Sequence, residues 1–103
     1  MSNVYYDPEA FGLTVVACID GGELYEFDMI VVWQDQDGKA YWAADSGCSC
    51  PIPFEDFHSV AELDVLDSRS LGSLEQRVRE LSNVSMDEKD TFLRQVEKEC
   101  GRF

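Results

Sequence analysis

The chain has 103 residues, 45% of them apolar and 12% aromatic, and a domain of that size buries something like two-thirds of its unfolded surface. Its 21 acids and 8 bases give a net charge of −13, a field that repels phosphate backbones and argues against direct nucleic-acid binding. No apolar run reaches the roughly 18 residues a membrane span needs, so no membrane role is expected.

The charge is unevenly spread. Residues 1–68 carry fourteen acids against one base, Lys39, whereas residues 69–103 carry seven of each. The imbalance therefore belongs to the strand-rich part, and such a field steers basic partners. The start, Met1-Ser2-Asn3-Val4-Tyr5-Tyr6-Asp7, lacks the basic and apolar regions of a secretion signal. A cytoplasmic protein with reduced cysteines is the expectation.

In chain order, residues 1–12 read as an irregular lead-in with a turn at Asp7-Pro8. Residues 13–19 are β-branched and apolar, a strand, and Asp20-Gly21-Gly22 suits a hairpin turn. In residues 24–34, Tyr25, Phe27, Met29, Val31 and Trp33 recur at period two, while the alternate set turns apolar at Ile30 and Val32. One face is core and the other becomes buried midway. Asp37-Gly38 then signals a second hairpin, leading to a strand over residues 39–45. A two-residue loop would set Trp33 opposite Trp42, and a longer loop would set it opposite Tyr41.

Beyond the sheet, Ser59-Val60-Ala61-Glu62 has the form of a capping box and predicts a short helix over 60–66 with Val60, Leu63 and Leu66 inward. Leu71, Leu74, Val78 and Leu81 predict a helix over 73–82. A second box, Ser85-Met86-Asp87-Glu88, opens another over 86–100, with Gly101 as its stop. The fold class expected is α+β, a single domain over 1–103. An antiparallel meander of about three strands or more is followed by a short helix and a C-terminal αα-hairpin. That hairpin also offers an amphipathic surface through which two copies could form a homodimer.

Between the two halves lies the stretch Asp45-Ser46-Gly47-Cys48-Ser49-Cys50-Pro51-Ile52-Pro53-Phe54-Glu55-Asp56-Phe57-His58. Cys48 and Cys50 are one residue apart, not the two that zinc knuckles use, and Cys18 and Cys100 are isolated. Metal binding by Cys48, Cys50 and His58 is the weaker alternative to packing of small apolar thiols. A catalytic thiolate is disfavoured by Asp45, Glu55 and Asp56, so neither an enzyme nor a cofactor is expected. The prolines extend the loop, and Phe54 and Phe57 should dock on the sheet with Trp42 a plausible neighbour. The sharper expectation is a rigid aromatic and acidic patch for a partner protein, formed by Asp45, Ser46, Cys48, Cys50, Phe54, Glu55 and Asp56.

Four segments carry a resemblance: Tyr5-Tyr6-Asp7-Pro8-Glu9, Trp33-Gln34-Asp35, Tyr41-Trp42-Ala43 and, above all, Asp45 to Asp56. Over residues 4–66 the chain resembles a family of small proteins of unknown function encoded by mycobacteriophages and related actinobacteriophages. The helical tail lies outside the likeness. The resemblance implies a phage accessory protein in a bacterial host's cytoplasm, where it would bind a host protein with a basic surface. It supplies no catalytic residues. A metal-stabilised module and a nucleic-acid mimic that engages a basic host protein are the alternatives.

Overall fold

The computed structural model describes residues 3–22, 25–48, 53–55 and 57–100, with the side chain of Cys48 excepted. Four strands, β1 (Leu13–Asp20), β2 (Glu26–Asp35), β3 (Ala40–Cys48) and β4 (Asp64–Leu66), form one antiparallel sheet in the order β1-β2-β3-β4. Two helices follow, α1 (Leu71–Arg79) and α2 (Met86–Cys100). The fold is therefore α+β, an antiparallel meander with its helices at the C-terminus.

β2 owes its central place to its composition. On one face, Ile30 and Val32 join Ala17, Ile19, Leu74, Val78, Phe92 and Val96 in a core beneath the helices. On the other, Phe27, Met29, Val31 and Trp33 join Val4, Leu13, Tyr41, Phe54 and Leu63 beneath the lead-in and the segment after β3. A strand buried on both sides reads as a continuous apolar run, as this one does. The sheet thus has two unlike covers, and the molecule measures 36 × 35 × 18 Å.

The β2–β3 hairpin takes the longer loop. Asp35 N–H bonds the Lys39 carbonyl at 2.9 Å, Trp33 pairs with Tyr41, and Gly38 has φ +87°. A three-residue loop ending in a left-handed residue suits glycine. The Asp35 carboxylate secures it by accepting the amides of Asp37 and Lys39, each at 2.9 Å.

The helix expected over residues 60–66 is corrected to a single 3₁₀ turn, Val60–Glu62, followed by β4. A helix would have set Leu63 and Leu66 on one stripe. In extended chain, residues three apart point to opposite faces, and Leu63 packs in the loop-side core while Leu66 packs in the helix-side core. The box expected at Ser59 is not formed: Ser59 makes no side-chain cap, and the Glu62 carboxylate accepts the amide of His58, one residue before the cap, at 2.8 Å. At Ser85, in contrast, the hydroxyl accepts the Glu88 amide at 3.1 Å, as a capping residue should.

The segment between the helices, residues 80–85, is longer than the roughly three residues expected, because α1 ends at Arg79. Lys89 is 7% exposed and donates its Nζ to the Arg79 carbonyl at 3.0 Å, placing a cation on the negative end of α1. Gly21 meets this segment closely, since a Cβ there would lie 2.6 Å from the Ser82 carbonyl oxygen.

Candidate functional site

Two places carry polar groups in an organised setting: the seam after β3 and a groove beside β1.

At the seam, the structure turns much of the expected patch inward. Phe54 is 0% exposed and packs edge-on against Trp33 with ring centroids 5.5 Å apart. Phe57 lies 5.4 Å from it and Tyr5 6.0 Å. Trp42 points to the opposite, helix-covered face, so the expected Phe54–Trp42 neighbourhood is corrected to Phe54–Trp33. Phe54 holds φ +63°, a left-handed backbone that a bulky residue adopts at a cost. Its amide donates to the Asp45 carboxylate at 2.8 Å, while the other Asp45 oxygen accepts the Ser46 amide at 3.0 Å.

From the N-terminal side, Asn3 donates to the Pro53 carbonyl at 3.0 Å and the Trp33 indole donates to the Val4 carbonyl at 3.0 Å. Asp45 and Phe54 are therefore parts of a clasp that ties residues 53–55 and the lead-in over β2, and Phe54 offers no surface to a partner. Ser46 and Glu55 are exposed. His58 is exposed as well, whereas Cys50, Asp56 and the Cys48 side chain lie outside the described residues. Among the described residues, no three His, Cys, Asp or Glu side chains gather as a metal ion would need.

The second place holds none of the residues of the expected patch. β1 stands at the edge of the sheet, and α2 runs back along it. Asp87 and Glu88, in the first turn of α2, flank a groove of about 480 Å³ with Asp20 at the end of β1. At the far end, the Gln34 amide reaches the Glu99 carbonyl at 3.3 Å, and Gln34 pairs with Thr14. Ala17 and Ile19 line the groove from the strand, while Thr91, Phe92 and Gln95 line it from the helix. Three carboxylates border it, and no base is among its lining residues.

The helix wall of this groove has a signal in the sequence. Asp87, Thr91 and Gln95 recur every four residues beside the apolar stripe of α2, which marks a polar flank of the helix. The first strand of a meander also has a neighbour on one side alone.

Cys18, on β1, is exposed, and its Sγ lies 3.7 Å from the Tyr5 hydroxyl. Desolvation raises the thiol's pKa, and the negative field of Asp20 adds to the effect against the lowering influence of the Tyr5 contact. Tyr5 itself is pushed up to about 12, by burial first and by Cys18 second. Burial and then Glu99 raise the Cys100 thiol. Both cysteines thus favour the protonated form, which is the less nucleophilic one.

Among the described residues, no helix is long and apolar enough to cross a membrane. A family model, that of a domain of unknown function (DUF7574), matches residues 2–102. No curated protein and no solved structure matches the chain.

Proposed function

We propose that this chain, which belongs to the DUF7574 family, is a non-enzymatic binding protein for a partner with a basic surface. The observation that carries this reading is the division of charge between layers. The sheet, its turns and its loop cover come from residues 1–68, with fourteen acids and one base; the helix layer is electrically even. Exposed carboxylates of the acidic part include Glu9, Glu26, Asp37, Glu55, Asp64 and Asp67. Arg77 of α1 reaches across the layers to Asp28 at 2.8 Å. A lopsided field of this kind accelerates encounter with cationic surfaces and suppresses encounter with anionic ones.

The resemblance over residues 4–66 extends the proposal: an accessory protein of an actinobacteriophage, acting in the host cytoplasm on a host protein. Affinity capture from a mycobacterial lysate, followed by titration with the purified captured protein, tests it. The triple variant Glu26→Lys, Asp37→Lys, Asp64→Lys serves as the control. Binding that weakens with salt and weakens further in the variant supports the reading. A captured protein that binds the variant equally well, without salt dependence, overturns it.

A further inference from the structure

We infer that the outer edge of β1, with the groove beneath α2, is a strand-addition site for an extended basic peptide segment. The inference rests on the basic-partner reading above and specifies where such a partner docks.

The backbone supplies the first argument. The Gly21 amide bonds the Asp28 carbonyl at 2.9 Å, and Ile19 pairs with Ile30 in the same register. Alternation along an antiparallel strand then directs the N–H and C=O groups of Cys18 and Asp20 away from β2. Among the described residues, no strand pairs with that side of β1. β1 spans eight residues with a register shift between Val15 and Ala17, and the regular stretch Ala17–Asp20 beside the groove is the template for an incoming chain. The other edge, β4, has three residues, too short to hold a peptide in register.

The groove supplies the second argument. A strand laid along β1 would send alternate side chains toward α2, where Ala17, Ile19 and Phe92 offer apolar contact. Asp87 and Glu88 at one end, with the polar Thr91 and Gln95 along the wall, would receive the ammonium or guanidinium ends of long side chains. The apolar stems of lysine and arginine suit the floor.

Charge selects the occupant. A second copy pairing through its own β1 would bring another net −13 and a second set of the same carboxylates to the junction, and like charges set opposite one another oppose pairing. A segment in which lysine or arginine alternates with β-branched residues meets both the backbone and the groove.

The test uses the full chain and a synthetic peptide of alternating lysine and valine, followed by amide hydrogen exchange and fluorescence titration. Two variants leave the internal ladder intact. Cys18→Pro removes an outward-facing N–H, and Thr91→Lys places a cation in the groove. Circular dichroism and melting confirm that each folds; should Cys18→Pro not fold, Thr91→Lys carries the test, with Thr91→Val as its neutral control.

The expected result is exchange protection of the Cys18 and Asp20 amides on peptide addition. Affinity should fall about tenfold in Thr91→Lys but little in Thr91→Val, with a comparable loss in Cys18→Pro. Peptide binding with protection elsewhere and full affinity in Thr91→Lys overturns the edge site while leaving the basic-partner reading standing. Failure of the chain to bind any basic peptide or protein at low salt overturns both. Concentration-dependent dimers abolished by Cys18→Pro would assign the edge to a second copy and overturn the peptide proposal.

Discussion

Trp33 and Trp42 are nine residues apart in sequence and sit on opposite faces of the sheet. Trp33 is 0% exposed, and its indole N–H has the Val4 carbonyl as acceptor. The Trp42 Nε1 is buried and, among the described residues, has no hydrogen-bond partner. Replacing a satisfied donor leaves its acceptor orphaned, at about 1–3 kcal/mol, whereas deleting an unsatisfied donor removes a penalty. Trp33→Phe should therefore destabilise more than Trp42→Phe by at least about 1 kcal/mol in urea unfolding. Asp45 belongs to the same scale. Because it secures the Phe54 amide, Asp45→Ala should cost about 1–3 kcal/mol, and Phe54→Ala about 3–5 kcal/mol. Both are measured by the same unfolding curves. Charge reversal at Asp45 is accordingly a stability variant, which is why the binding controls above avoid it.

At the scale of the element, β2, its hairpin and α2 were legible in the sequence because each has a single dominant period. Phe27 to Trp33 repeats every two residues, and Phe92 to Cys100 every three or four. The segment Val60 to Leu66 misled because three apolar residues spaced by three satisfy a helix stripe and also a turn that feeds a strand serving both faces. Too few residues separate the alternatives, and the unpaired side of β3 decided between them by accepting β4. The hairpin loop carries a testable pH signature. Desolvation pushes the Asp35 carboxyl up, but the amides of Lys39 and Asp37 and the Tyr41 hydroxyl outweigh it, so its pKa lies below the ordinary 3.8. A depressed carboxylate stabilises the fold above its unfolded value, and that contribution disappears as pH falls through the folded one. The melting temperature of Asp35→Ala should fall short of wild type at neutral pH, and the gap should narrow as pH drops below about 4. A gap that widens in acid would show the carboxylate to be raised instead.

For the molecule as a whole, the field of residues 1–68 acts on folding as well as binding. Like charges crowded on a small surface repel one another, and salt screens that repulsion over about 8–10 Å. Added sodium chloride should raise the melting temperature, by about 4–8 °C for each kcal/mol of repulsion relieved. A melting point that falls with salt would mean that cross-layer attractions such as Arg77–Asp28 outweigh the repulsion. The division of charge was fully visible in the sequence, since it is a count. What the groove beside β1 required was topology, because Asp20 and Asp87 are 67 positions apart and nothing local shows that they share a wall. Of the seam residues, Ser46 and Glu55 are exposed, whereas Phe54 docks on the sheet as expected, but against Trp33 rather than Trp42, because nothing local shows which face the returning chain covers.

The two covers of the sheet are fastened differently. Over the helix side, a continuous stretch of chain lays Leu74, Val78, Phe92 and Val96 onto β1 and β2. Over the loop side, closure depends on Phe54 wedged between rings, one carboxylate and two carbonyl acceptors. The two covers share no side chain, so opening of the second without the first is an event that hydrogen exchange can resolve. The Trp33 indole would be its reporter, exchanging its proton with solvent while the neighbouring strand amides stayed locked.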